Sequence, residues 1–185
     1  MTLPRGFKAK AEREAVRLRQ ELSLRPASVL PINLLAGHLD VTVVSAETLI
    51  PLERLEEIER LQAFAFSAAT FDIKGRHIVV TNPLRTPGRL ASDVAHEVAH
   101  LLLKHELGEV REIDGVLFRT CKPDEEEQAT VFGGTILLPR PLLMKAALAG
   151  KGPEEIADEC GVTVEMARFR FNTTGVAKQA ARRSG

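Results

Sequence analysis

The sequence predicts an α+β domain in which several helices surround a small antiparallel or mixed sheet. Two patterns support this class. Apolar side chains recur at three- and four-residue spacing over long segments, as in helices with one buried face. Shorter β-branched segments between them are typical of strands. With 185 residues and 44% apolar content, the chain is long enough for one compact domain with a substantial core.

The individual elements follow from these patterns in chain order. Helically spaced apolar residues from Phe7 to Leu22 predict a first helix, which ends near Pro26 because proline interrupts helical hydrogen bonding. Further along we predict a helix at residues 30–39, a strand at 41–44, a helix at 52–61 and paired strands at 64–71 and 76–81. A turn-like sequence at residues 72–75 joins the paired strands, and the next helix begins after Pro87-Gly88.

This next helix carries the most informative motif of the chain, His96-Glu97-x-x-His100. Residues four positions apart lie on one helix face, so both imidazoles can bind the same metal ion. A third ligand and a water would complete a catalytic tetrahedron, in which Glu97 takes the proton of the water as general base. The alternative is a surface helix with scattered His and Glu. A broad apolar stripe argues against it, because buried His and Glu need partners that a metal supplies; the stripe consists of Leu90, Val94, Val98, Leu101 and Leu102.

A third ligand is expected at the start of the following helix, predicted from residue 123. Its first turns contain Glu125, Glu126 and Glu127, and spacing alone does not choose among them. An ordinary acidic first turn, favoured by the helix dipole, is the other explanation for these residues. Two imidazoles and one carboxylate favour Zn²⁺, and Mn²⁺ is also compatible with this ligand set.

Taken together, the ordered motifs of the chain resemble the ImmA/IrrE family of metallopeptidases. Residues 95–103 match its AHE-x-x-H-x-x-L core, and residues 126–139 match its E-x-x-A-x-x-F-x-x-x-x-L-x-P block. Residues 5–12 and 18–22 look like the opening helix of the family, and residues 171–175 look like its ending. The motif His-Glu-x-x-His is shared by many peptidases, but this ordered combination is far more specific.

The resemblance implies a zincin-like, gluzincin-like fold with His96, His100 and Glu126 as metal ligands and Glu97 as catalytic base. It further implies a zinc-dependent endopeptidase that regulates transcription in a stress response. Its substrate would be a specific regulatory protein, typically an XRE-type helix-turn-helix repressor. The chain departs from the family at three positions: Thr130 stands where Asn is common, and Gly133 and Gly134 replace Ala-Ala. Because glycine weakens a helix, this pair suggests a close approach of the helix backbone to a neighbouring element.

Two further residues are candidates for support of the site. Asp93, three positions before His96, is placed to orient a ligand imidazole, although capping or solvent exposure explains it equally well. His105 follows the helix that carries the His-Glu-x-x-His motif, called the active helix below, and is a candidate oxyanion donor or orienting group. A plain helix-end histidine, favoured by the dipole, is the alternative. The sequence contains no Tyr, so the tyrosine used by some zinc peptidases is absent.

The strand at residues 76–81 directly precedes the active helix in the chain. Extended substrates commonly add to a sheet edge near the metal, so this strand is a candidate substrate platform, with a plain core strand as an equal alternative.

The C-terminal part raises a second functional possibility. We divide the chain into a metallopeptidase core at residues 1–150 and a C-terminal helical segment at 151–185 that packs on this core. The segment has a helix-Gly-helix pattern like a helix-turn-helix, and a DNA-binding protein would place Arg168 and Arg170 in the major groove. The acidic first helix and zero net charge favour packing over direct DNA binding. The alternatives to a peptidase are therefore a non-catalytic, metal-containing DNA-binding protein and a hydrolase of non-peptide amides.

Composition bounds the cellular setting. The net charge of zero indicates no general attraction to nucleic acid or to a membrane. The charged N-terminus lacks the apolar core of a signal peptide, and no apolar run has the length of a membrane span. With no sign of export, Cys121 and Cys160 are expected to be reduced thiols in the cytoplasm.

Overall fold

The computed structural model describes residues 3–63, 66–105, 110–113, 116–119 and 122–184. These residues form nine α-helices, one short 3-10 helix and five strands. The helices are α1 (Phe7–Glu21), α2 (Ile32–His38), α3 (Leu52–Leu61), α4 (Pro87–Leu103), α5 (Pro123–Leu137), α6 (Arg140–Leu148), α7 (Pro153–Cys160), α8 (Val164–Thr174) and α9 (Val176–Ser184). The strands are β1 (Val41–Ser45), β2 (Ala68–Ile73), β3 (Arg76–Thr81), β4 (Val110–Ile113) and β5 (Val116–Arg119). The predicted α+β class is confirmed.

Most of the predicted elements occur close to their expected positions. The helix predicted at residues 30–39 is the shorter α2, and α4 begins at Pro87 itself, in the first helical turn where proline is tolerated. The strand predicted from residue 64 begins at Ala68, and residues 64 and 65 lie outside the described part. The predicted turn at 72–75 is shorter than expected: Lys74 and Gly75, both with positive φ, join β2 to β3.

A three-stranded mixed sheet has the order β1-β3-β2, with β1 parallel and β2 antiparallel to β3. The sequence left a substrate platform at a sheet edge and a plain core strand as equal alternatives for residues 76–81, and the core strand is the one observed. Both neighbours of β3 satisfy its backbone groups, so this strand is central and cannot accept an added chain. Its alternating side chains serve two cores: Val79 faces the main core, whereas Val80 packs with Leu55 of α3. The edge beside the active helix belongs to β2.

Helices α4 and α5 pack closely through a glycine. A Cβ added to Gly133 would lie 2.9 Å from the carbonyl oxygen of Ala95 and 3.1 Å from the backbone nitrogen of His96. The predicted close approach of the helix backbone therefore occurs at Gly133, and it brings the first turns of α5 next to the His-Glu-x-x-His face. At Gly134 an added Cβ would only reach the Arg170 side chain at 3.4 Å.

Two buried arginines bind the last carbonyl groups of α5. The Arg19 guanidinium donates to the carbonyl oxygens of Ile136 and Leu137, and the Arg170 guanidinium donates to that of Leu138. A cation at a helix C-terminus interacts favourably with the dipole and satisfies carbonyl groups that lack helical partners. Burial lowers the pKa of Arg19 to about 10. These contacts hold the C-terminal end of α5 between α1 and α8.

The C-terminal segment has the predicted helix-Gly-helix form, with Gly161 in the left-handed conformation between α7 and α8. Arg170 is only 5% exposed and pairs with Glu12 of α1 at 2.6 Å, so it does not lie on a surface that faces solvent. Arg168 is exposed and pairs with Glu154. The main core includes residues on both sides of position 150, among them Ile156, Ala157, Val162, Ala167 and Val176. The boundary at 150 itself stays a prediction.

Among the described residues, no single helix is long and apolar enough to cross a membrane; only the bent pair α5 and α6 together meets the length and composition required.

Candidate metal centre

The two histidines of the motif and one glutamate converge on a single point. His96 Nε2 lies 3.0 Å from His100 Nε2 and 3.1 Å from Glu126 Oε2, and His100 Nε2 lies 3.4 Å from Glu126 Oε1. In a tetrahedral site with metal–ligand distances of about 2.0–2.1 Å, ligand atoms are about 3.3 Å apart. The observed separations are close to this value, so the three side chains are compatible with a metal ion bound between them.

The secondary structure explains this convergence. His96 and His100 are one turn apart on α4 and therefore point in the same direction. Glu126 lies in the first turn of α5, where a carboxylate suits the helix dipole, and the Gly133 contact holds α5 against α4. Of the three candidate glutamates, Glu126 is the one that this packing brings to the histidines.

The surroundings of His100 favour the neutral imidazole. Burial, and then the charge of neighbouring His96, lowers the pKa of His100. A neutral imidazole has a nitrogen lone pair available for a ligand bond. The Nδ1 atom of His100, on the other side of the ring, lies 3.0 Å from His105 Nδ1. With a metal on Nε2, the proton of the neutral ring would be on Nδ1 and would donate to His105. His105 thus contacts the side of the His100 ring opposite the metal position, and this suits an orienting group.

The ring of His96 also has a neighbour at its Nδ1 atom, and the motif did not predict this contact. Its Nδ1 lies 3.4 Å from the hydroxyl of Thr130 on α5. In the sequence Thr130 stands out only as a departure from the common Asn, and nothing there indicates a contact with a metal-binding histidine. The contact follows from the same α4–α5 packing, since Thr130 is one turn beyond Glu126 on the same helix face.

Asp93 has a different neighbour from the one expected. Its Oδ1 pairs with Arg89 Nε at 2.9 Å, and its Oδ2 is buried without a hydrogen-bond partner in the described part of the chain. Burial raises the pKa of the Asp93 carboxyl. Asp93 therefore lies one turn from His96 and interacts with it electrostatically. The ion pair of Asp93, however, is with Arg89.

The candidate base Glu97 is 6% exposed and lies on the side of α4 that meets the sheet. Its Oε2 accepts a hydrogen bond of 2.5 Å from the hydroxyl of Thr70 on β2. No sequence pattern links these residues, because they lie 27 positions apart in different kinds of element. Thr70 is therefore a site residue that only the folded chain reveals.

An open cleft of about 390 Å³ borders the metal position. His96, Glu97 and Glu126 lie on its wall, and His105 is not among its lining residues. The other lining residues are Ser67 and Ala68 from the β2 side, Arg89, Ser92 and Asp93 from α4, Thr130, Gly133 and Gly134 from α5, and Met166 from α8. The cleft can hold several atoms of an extended chain beside the three ligands.

In a comparison with known protein families, the model of the IrrE N-terminal-like domain, Peptidase_M78, matches residues 57–172. The matched stretch includes the sheet edge, both histidines, Glu97 and Glu126, and it continues past position 150 into α8. Comparison with curated proteins finds no significant match.

Proposed function

Because the chain belongs to the IrrE N-terminal-like family of metallopeptidases, we propose that it is a zinc-dependent endopeptidase that cuts a specific regulatory protein. The observation that carries this proposal is the convergence of His96, His100 and Glu126 ligand atoms beside Glu97, at separations that suit zinc. The donor set itself, two imidazoles and one carboxylate, favours zinc over metals that prefer oxygen ligands.

In this proposal His96, His100 and Glu126 hold the ion, which supplies a Lewis acid for the substrate carbonyl and lowers the pKa of a water. Glu97 takes a proton from the water as its oxygen attacks the carbonyl carbon. Glu97 then delivers this proton to the amine nitrogen as the C–N bond breaks. His105 and Thr130 keep the two ligand rings in position through their Nδ1 atoms.

The substrate we propose is a helix-turn-helix transcriptional repressor, in keeping with the family resemblance, and the cytoplasm is the proposed place of action. The cleft beside His96, Glu97 and Glu126 is open to solvent rather than enclosed, which leaves room for a segment of a larger protein to enter it. Cleavage would remove the repressor and so switch on its genes.

The test incubates the zinc-loaded protein with the products of the genes beside its own, among which a helix-turn-helix repressor is the expected substrate, and follows cleavage by mass spectrometry. We expect one zinc per chain and cleavage at a defined peptide bond. Glu97→Gln should keep the zinc and lose cleavage by at least about 100-fold, since a general base contributes this order of rate. Glu127→Gln is the matched control, a carboxylate beside the third ligand that is absent from the cluster, and it should remain active.

A protein that binds no zinc, or a Glu97→Gln variant that cleaves as fast as the wild type, would contradict the proposal. Retained regulatory activity in the Glu97→Gln variant would instead support a non-catalytic protein. Salt-dependent DNA binding that is lost on Arg168→Ala would favour the DNA-binding alternative.

A further inference from the structure

The contact between Thr70 and Glu97 joins the candidate base to the strand at the edge of the sheet. Thr70 is 6% exposed, and its hydroxyl donates to Glu97 Oε2 at 2.5 Å. A buried carboxylate on a flexible side chain has several rotamers, and a hydrogen bond to one of its oxygens favours one of them. The bond comes from a strand rather than a loop, so its donor is held by the sheet register as well as by its own rotamer.

The backbone of Thr70 faces the open edge of the same strand. In an antiparallel pair, residues alternate between those whose N–H and C=O both point to the partner strand and those whose groups point away. The Asn82 N–H donates to the Ser67 carbonyl oxygen at 2.9 Å, and the register then pairs Ala68 with Thr81 and Thr70 with Val79. The backbone N–H and C=O groups of Ser67 and of every second residue after it therefore point to β3.

It follows that Thr70 directs its N–H and C=O away from β3. No strand pairs with this edge of β2 among the residues that the structure describes. The cleft beside the metal position includes Ser67 and Ala68 at the start of this strand. An extended chain added along the edge would thus use the backbone of Thr70, while the hydroxyl of the same residue bonds to Glu97.

We propose that Thr70 is a positioning residue that holds Glu97 in its reactive orientation and links this orientation to the seating of substrate on β2. The inference rests on the proposed peptidase function. A threonine suits the role because it combines a short, stiff hydroxyl donor with a preference for strands. Thr70 does not exchange protons with the reacting atoms; it acts through Glu97.

The test compares three variants of the full-length, zinc-loaded protein. Thr70→Val keeps the shape of the side chain but removes the donor, and Thr70→Ser keeps the donor. Thr81→Val is the matched control, because Thr81 is also a buried sheet threonine, and its hydroxyl donates to the Val44 carbonyl oxygen rather than to a carboxylate. Cleavage of the repressor gives kcat and KM, and each variant is also measured for zinc content and thermal midpoint.

We expect Thr70→Val to lower kcat by roughly 10- to 100-fold with little change in KM, the size expected for loss of a hydrogen bond to a charged group. Thr70→Ser should recover most of this loss. Thr81→Val should keep the wild-type kcat, and all variants should bind one zinc. A wild-type kcat in Thr70→Val would overturn the inference, as would a Thr70→Ser variant as slow as Thr70→Val.

A second measurement needs no protein substrate and so separates this inference from the proposed function. Acetohydroxamate chelates a metal and gives up its proton to a neighbouring carboxylate, so its affinity depends on how Glu97 is held. We expect Thr70→Val to bind it at least about tenfold more weakly than the wild type, with recovery in Thr70→Ser. Wild-type protein that binds acetohydroxamate but cuts no repressor would count against the proposed substrate alone. Equal affinities in wild type and Thr70→Val would count against the role of Thr70.

Discussion

Replacing Gly133 by alanine should destabilise the protein and weaken zinc binding, whereas the same change at Gly134 should stabilise it. Both glycines lie inside α5, so alanine gains about 1 kcal/mol of helix propensity at either position. The surroundings differ. A Cβ at 133 meets backbone atoms of Ala95 and His96 at 2.9–3.1 Å, whereas a Cβ at 134 meets only the flexible side chain of Arg170 at 3.4 Å.

The difference between the two variants therefore isolates the steric term. Overpacking against backbone that cannot rotate away costs about 1–3 kcal/mol. For a chain of this size each kcal/mol corresponds to about 2–4 °C, so the two midpoints should differ by about 2–12 °C, with Gly134→Ala the higher. The backbone that must move at position 133 carries His96, so the Kd for zinc should rise about fivefold or more in Gly133→Ala.

Differential scanning calorimetry and competition titration with a zinc chelator measure these two quantities. Equal midpoints for the variants, or wild-type zinc affinity in Gly133→Ala, would refute the argument that glycine is required by the contact between α4 and α5. A lower midpoint in Gly134→Ala would show that the contact is as tight there as at position 133.

Three other outcomes are expected. Arg170→Ala should lower the free energy of unfolding by about 2–3 kcal/mol in chemical denaturation, because it removes the hydrogen bonds of a buried guanidinium to the Leu138 carbonyl oxygen and to Glu12. Arg168→Ala should leave the midpoint nearly unchanged, because its ion pair with Glu154 is exposed. His105→Ala should raise the Kd for zinc about 10- to 100-fold in chelator competition, since it removes the contact that orients the His100 ring. Burial raises the pKa of Cys160 from 9.0 to about 11, so at pH 8 its thiolate fraction and its alkylation rate by iodoacetamide, followed by mass spectrometry, should be about 100-fold below those of an ordinary thiol.

Each of these outcomes can fail separately. Equal destabilisation by Arg168→Ala and Arg170→Ala would mean that burial does not distinguish the two arginines. His38→Ala is the control for His105, because His38 is a surface histidine at 3.4 Å from Glu21; a similar loss of zinc in both variants would remove the orienting role. Cys160 that reacts as fast as a cysteine in the unfolded chain would contradict its burial.

The helices of the site were predictable because their signals are local. The spacing of His96 and His100 places both rings on one face of any α-helix, whatever surrounds it. The ends of α1 and α3 follow similarly from neighbouring residues, and the observed bounds agree closely with the predicted ones. Spacing did not distinguish Glu126 from Glu125 and Glu127 as the third ligand, whereas the family resemblance indicated Glu126. The packing of α5 on α4 gives the physical reason, because it brings Glu126 to the two histidines.

For the strand at residues 76–81 the sequence left the edge and the core of the sheet as equal alternatives, because a long-range pairing decides between them. A β-branched segment is equally suited to the middle or the edge of a sheet, and β3 became central because β1 approaches it from a distant part of the chain. Among the described residues, β2 is therefore the strand that presents an unpaired edge beside α4. Arg170 is a comparable case: a basic helix is compatible with DNA or with a buried ion pair, and only the position of Glu12 on α1 decides between them.

By itself the sequence determined the helices, the two-histidine face and the residue type of the base, because each of these depends on side chains within a few positions of one another. The tertiary structure alone decided which strand is open, how Thr70 reaches Glu97, and what holds the rings of His96 and His100. These contacts join α4 to β2, to α5 and to His105, two residues past its own end. Their geometry depends on how the elements pack, so it has no signature in the spacing of residues along any one of them.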